Sequence, residues 1–204
     1  MKNIILPAGS DNTLEHAATT VLRGGIIAYP TETTYGLGAR YDDQKALQRL
    51  YELKKRPDDK TIPLIIGDVS DLDFLVEFVT DQAKKLMSKY WPGPLTLIFR
   101  AKAGLNGYIT CNSTIALRIP GDSFALRLVR KAGIPVTATS ANISGMPPAV
   151  SAAMAAGYFG SAIDLIVDGG ECPENSPSTI VDVTSDDLRI LREGSIKISD
   201  LFAL

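Results

Sequence analysis

The sequence predicts an α/β domain built around a mixed sheet, and three observations carry the prediction. About seven short apolar segments of strand character alternate with about five segments whose apolar residues recur at helical spacing. Some neighbouring strand segments lie too close together for a helical crossover, so parallel and antiparallel pairings must coexist. No internal repeat, low-complexity tract or long linker interrupts the 204 residues, and a 45% hydrophobic composition suffices for one core. Residues 1–204 are therefore expected to form a single domain.

Ser10-Asp11-Asn12 opens the first helix, Leu14, Ala17, Ala18, Val21 and Leu22 form its apolar stripe, and Gly24-Gly25 ends it. A strand at 26–29 runs to Pro30 and opens into Thr31-Glu32-Thr33-Thr34-Tyr35-Gly36-Leu37-Gly38, which is predicted as a loop. A surface loop needs only one or two turn residues, so this many hydroxyls and glycines after a buried strand have the composition of a ligand cradle. Asp42 is the expected cap of a second helix with Ala46, Leu47, Leu50, Tyr51 and Leu53 inside, stopped by Pro57. Lys54 then falls in its last turn and Arg56 just beyond.

A strand is predicted over 62–66, one or two helices within 70–79 and 82–90, and a rigid turn at Trp91-Pro92-Gly93-Pro94 leading into a strand at 95–99. Residues 103–112 lack periodicity and read as loop. A strand at 114–119 and a helix over 123–131 follow, joined by Pro120-Gly121-Asp122. The strand predicted at 136–139 opens into Ser140-Ala141-Asn142-Ile143-Ser144-Gly145, a second strand ending in small polar residues. A helix near 150–156 and strands at 164–167, 179–183 and 188–191 complete the chain.

Several function classes are disfavoured by composition. The formal net charge is −2, so nucleic acid is not held by overall charge. Residues 45–60 nevertheless hold six basic side chains against three acidic ones, a local excess suited to an anion. With two cysteines, Cys111 and Cys172, far apart and a single histidine, His16, a zinc site is not expected, and both thiols read as reduced and structural. The absence of a long apolar run and of a basic-then-apolar leader predicts a soluble, cytoplasmic protein with no membrane partner.

Four loop clusters are candidates for chemistry: 30–38, Lys54-Lys55-Arg56, Ser140-Ala141-Asn142, and Ser178-Thr179 with Arg192. Singly, each has a structural explanation, such as basic residues favoured at a helix C-terminus or Ser and Asn as turn formers. Together they occur in a fixed order with Trp91-Pro92-Gly93-Pro94-Leu95-Thr96, Leu117-Arg118-x-Pro120, Ser178-Thr179-Ile180-Val181-Asp182 and Leu191-Arg192-Glu193-Gly194. That order, over residues 10–196, resembles the YrdC/Sua5 family.

The resemblance implies a YrdC-like twisted open mixed sheet flanked by helices, with a concave positively charged cavity. It implies a threonylcarbamoyl-AMP synthase, a nucleotidyltransferase joining L-threonine, bicarbonate and ATP, with Mg²⁺ arriving on the nucleotide and no tightly bound cofactor. The product would pass to downstream tRNA threonylcarbamoyl-transferase proteins for N6-threonylcarbamoyladenosine at tRNA position 37. Members are also described as binding double-stranded RNA, so a non-catalytic RNA- or tRNA-binding module is the alternative. Motif matching assigns Lys54, Arg56, Ser140 and Asn142 to a catalytic, nucleotide-side tetrad, Thr33, Arg118 and Ser178 to threonine, and Lys60, Thr114 and Arg192 to the nucleotide. The chain departs from many members in having no histidine within Ile62-Pro63-Leu64-Ile65-Ile66-Gly67, and it is expected to be the short, single-domain form. No Walker phosphate loop is present, which nucleotidyl transfer by positioning and charge neutralisation does not require.

Overall fold

The structure is a computed structural model that describes residues 4–56, 61–172 and 177–201. In chain order, strand β1 (Ile4–Pro7) leads to helix α1 (Asp11–Leu22), strands β2 (Ile27–Pro30) and β3 (Tyr35–Gly38), helix α2 (Gln44–Lys54) and strand β4 (Leu64–Ile65). A 3₁₀ turn over Val69–Asp71 runs into the short helix α3 (Leu72–Leu75), followed by helix α4 (Asp81–Tyr90) and strands β5 (Leu95–Arg100), β6 (Thr110–Cys111) and β7 (Thr114–Arg118). Helix α5 (Phe124–Ala132), strands β8 (Val136–Thr137) and β9 (Thr139–Ser140), helix α6 (Ala152–Phe159), strands β10 (Leu165–Asp168), β11 (Thr179–Asp182) and β12 (Arg189–Arg192), and the short helix α7 (Ile198–Leu201) complete it.

Two mixed sheets form where one was expected. One has the order β1-β10-β2-β3-β9, the other β12-β11-β5-β7-β4-β8 with β6 on β7. The segment predicted as one strand over 136–139 is shared between them: β8 pairs with β4 and, beyond Ala138, β9 pairs with β3. Thr137 sits at the junction, fully buried, its hydroxyl donating to Leu37 O (3.0 Å) and accepting from Ala39 N (2.8 Å). A β-branched residue with one hydroxyl can satisfy backbone groups there that no ladder reaches.

The stretch 35–38, predicted as loop, is a strand. It pairs antiparallel with β2, setting Tyr29 opposite Gly36 and Ile27 opposite Gly38. Tyr29 is buried and its ring lies across both glycines: a Cβ at Gly38 would approach Tyr29 Cε1 to 2.7 Å and one at Gly36 its hydroxyl oxygen to 3.2 Å. These glycines make room for an aromatic ring, so the turn proper is only Thr31–Thr34. The cap of α2 is Asp43, not Asp42, since the Asp43 carboxylate accepts from Lys45 N and Ala46 N (2.9 and 3.1 Å). Asp42 instead pairs with Arg40. At 103–112 the loop expectation holds except for β6, which joins β7 through Asn112-Ser113, both at positive φ (49° and 58°), a two-residue hairpin turn.

Strand alternation sorts the larger sheet into a core face and an open face. Leu97 and Phe99 on β5, Ile115 and Leu117 on β7, and Val181 on β11 are buried in the main core. The intervening Thr96 and Ile98, Ala116 and Arg118, and Ile180 point the other way and floor a cavity. Period-two alternation in otherwise apolar strands thus supplies both the core and the floor. Among the described residues no helix is long and apolar enough to cross a membrane.

Candidate functional site

The cavity, of about 660 Å³, lies between the open face of the larger sheet and the β2–β3 turn, the end of β9 and the residues after α2. That volume is ordinary for a small-molecule site. Its lining includes Thr33, Arg56, Arg118, Ser140, Ser178 and Arg192, drawn from segments spread over most of the sequence. Among the described residues its charged lining groups are three arginines, with no carboxylate. Register explains the grouping on the floor, because Ile180 is the cross-strand neighbour of both Thr96 and Arg192.

At one end, Thr31 organises the turn. Its hydroxyl donates to Thr34 O (2.6 Å) and accepts from Thr33 N and Thr34 N (3.1 and 3.2 Å). The Thr31 and Thr33 hydroxyls lie 3.0 Å apart at the edge of the cavity. Across from them, Ser178 Oγ lies 2.9 Å from Thr96 Oγ1 and accepts from Arg192 Nη2 (3.1 Å). Arg192 Nε and Nη2 also clasp Ser178 O (3.0 and 2.8 Å). The hairpin that returns Arg192 needs Gly194, where a Cβ would fall 2.0 Å from Pro177 O. Burial and, less strongly, the neighbouring Arg118 charge lower the Arg192 pKa from its ordinary value. Two guanidiniums thus face one space and together attract an anion.

Arg118 ends β7 with its Nε donating to Gly93 O (2.9 Å) and its Nη2 bonded to Glu32 Oε1. Gly93 belongs to the Trp91–Pro94 turn, where a Cβ would lie 2.5 Å from Tyr90 O. At the other end, α2 finishes with Lys55 in the left-handed conformation (φ 48°), which swings Arg56 back over Thr139 Oγ1 (3.3 Å) and Thr61 O.

Lys54 and Asn142 are not cavity-lining residues. Lys54 is 1% exposed, and its ammonium bonds to Ser140 O, Asn142 O (2.8 Å) and Asn142 Oδ1 (3.1 Å), while its own carbonyl accepts from Ser144 N (2.8 Å). Asn142 Oδ1 in turn accepts from Ser140 Oγ (2.6 Å). The four residues of the expected tetrad are therefore contiguous, with Arg56 and Ser140 at the cavity and Lys54 and Asn142 bracing the turn behind it. Thr114 shares a strand face with Ala116 and Arg118 but lies outside the lining, its hydroxyl on Cys111 O (2.8 Å). Lys60 lies outside the described residues. Thr31, Glu32, Thr96 and Thr139 lie within motifs legible in the sequence, but the sequence assigns none of them an individual role. Thr96 had a signal, as the one polar residue in the segment 95–99.

Burial, with the Arg56 charge as a smaller cause, pushes the Lys54 amine down to about 7 from 10.5. Between those values the unfolded chain binds more protons than the folded one, so stability rises with pH. Compared with Lys54→Met, the wild type is expected to become more stable by up to about 1.4 kcal/mol per pH unit above pH 7, with a flat difference below it. Urea midpoints of both proteins across that range test this; a constant difference would mean that Lys54 stays charged throughout.

Residues 19–194 match the sequence profile of the Sua5/YciO/YrdC family, described as telomere recombination. The chain is 37% identical over 186 residues to a protein of Pyrococcus abyssi, and 38% identical over 189 residues to one of Bacillus subtilis, both named threonylcarbamoyl-AMP synthase. These alignments cover 91% and 92% of this chain, which spans 55% of the length of either relative. The crystal structure of P. abyssi Sua5 complexed with L-threonine superposes with a TM-score of 0.92 at 33% identity, covering 100% of this chain and 60% of that one.

Proposed function

The chain belongs to the Sua5/YciO/YrdC family, and from that premise we propose that it is a threonylcarbamoyl-AMP synthase. The reaction joins L-threonine, bicarbonate and ATP to give threonylcarbamoyl-adenylate and pyrophosphate, a nucleotidyl transfer in the service of tRNA modification. The observation that supports it most is the one cavity in which hydroxyls and three arginines from distant segments meet.

The chemistry accounts for that composition. Bicarbonate, as CO₂, captures the deprotonated threonine amine to form a carbamate, and a carbamate oxygen attacks the α-phosphorus of ATP while the bond to pyrophosphate breaks. Neither step uses a protein nucleophile, so the protein acts by positioning and by neutralising charge. Arg118 suits the threonine carboxylate, Thr33 an N–H or hydroxyl of the amino acid, and Ser178 its hydroxyl. Arg56 suits the phosphates, with Ser140 beside it, the turn bearing Ser140 being held from behind by Lys54 and Asn142. Carbamate and α-phosphate must touch, and the clasp of Arg192 on Ser178 supports a seam between the two subsites there. Mg²⁺ would arrive with ATP. Among the described residues the cavity lining has no carboxylate to ligate it, so phosphate oxygens and water would hold it. A cytoplasmic location and transfer of the product to tRNA-modifying proteins belong to the same proposal. The RNA-binding alternative draws support from no feature of the site.

Pyrophosphate release is expected to require L-threonine and bicarbonate together, because the attacking oxygen does not exist until both are present. Omitting each component in turn from an assay with ATP and Mg²⁺ tests this. Equal release with ATP alone would mark an ATPase and end the proposal.

A further inference from the structure

Glu32 occupies the middle of the β2–β3 turn, between the two threonines that shape the Thr33 end of the cavity. It does not line the cavity itself. Its Oε1 accepts from Gly121 N (2.7 Å) and bonds Arg118 Nη2. The approach is close, since a Cβ on Gly121 would stand 3.3 Å from that same oxygen. Its Oε2 is buried and has no hydrogen-bond partner. A buried carboxylate oxygen left without a partner costs free energy, a cost set against the ion pair and hydrogen bond that the other oxygen makes.

Arg118 has five N–H donors in one plane. Nε is committed to Gly93 O and Nη2 to Glu32, whereas Nη1 has no hydrogen bond among the described residues. Two anchors on one edge of a planar fork fix its rotation and leave the Nη1 edge free of both.

We propose that Glu32 is the positioning residue for Arg118: it locks the guanidinium so that the Nη1 edge meets the carboxylate of the amino-acid substrate, and it ties the Thr33 turn to the Pro120-Gly121 loop. The proposal rests on the reading of Arg118 as the carboxylate partner. Charge-assisted recognition is sensitive to orientation, and a guanidinium held by one anchor samples rotations that a second anchor forbids.

The test measures Michaelis constants for threonine and ATP by pyrophosphate release, and threonine affinity by calorimetry, in wild type, Glu32→Gln, Glu32→Asp, Arg118→Ala and the double variant Glu32→Gln/Arg118→Ala. Phenylglyoxal modification of Arg118, read by peptide mass spectrometry, supplies a measure independent of threonine. Glu32→Gln is expected to raise the threonine KM and Kd about tenfold, leave the ATP KM within about twofold, and speed Arg118 modification several-fold. In the Arg118→Ala background the same change should add less than about twofold. Should Glu32→Gln not fold, Glu32→Asp, one methylene shorter, is expected to give the same selective pattern at smaller size. Effects of Glu32 that are equal for ATP and threonine, or that persist undiminished without Arg118, overturn the proposal. A wild type that binds no threonine removes the substrate reading instead, and the positioning role then stands or falls on the modification rate.

Discussion

Arg56→Ala is expected to lower kcat/KM about 30- to 1000-fold, corresponding to roughly 2–4 kcal/mol of lost transition-state stabilisation. The side chain lies in the cavity wall, and Lys55 in its left-handed turn directs it there. Charge builds on the α-phosphoryl oxygens and the departing pyrophosphate, and a planar guanidinium can fork onto two of those oxygens at once. The bonds to Thr139 Oγ1 and Thr61 O are lost with it, so some stability is expected to fall as well. Steady-state pyrophosphate release together with thermal unfolding separates the two effects. A variant that unfolds yet keeps full activity per folded molecule would make Arg56 structural.

Arg118→Ala is expected to raise the threonine KM by about 30- to 150-fold, the equivalent of roughly 2–3 kcal/mol for a charge-assisted contact, with little change for ATP. Here stability also falls, by about 3 kcal/mol, because Glu32 keeps a largely buried carboxylate after its cation is removed. Side-chain exposures of 11% for Arg118 and 21% for Glu32 leave little water to compensate. The threonine effect must therefore be measured on the folded fraction, by calorimetry below the unfolding midpoint. Equal shifts for ATP and threonine would place Arg118 at the phosphates and reverse its assignment.

Much of this molecule is legible along the chain. The helical stripe within α1, the end of α2 at Lys54, the strand alternation in 95–99 and 114–118 and the turn at 91–94 all follow from neighbours a few residues apart. The motif order is a property of the sequence too, and it pointed to the family before any contact was known. Other features were misplaced for one reason. Gly36 and Gly38 look like loop residues until the ring of Tyr29 is laid across them. Residues 136–140 look like one strand until Thr137 is seen spanning to Leu37 and Ala39.

By itself the sequence determined the α/β class, the main helices and strands, the family, and the residues that could carry the chemistry. Only the tertiary structure decided how those residues divide: Arg56, Ser140, Arg118, Ser178 and Arg192 at one cavity, Lys54 and Asn142 behind it, and Glu32 as the partner of Arg118. Local periodicity reports which face a side chain occupies, because it depends on neighbours within a turn or a strand. It is silent about a carboxylate meeting a guanidinium 86 residues away, or an ammonium reaching a backbone turn 86 residues on. Those pairings exist only once two sheets have closed on each other and made water an inferior partner.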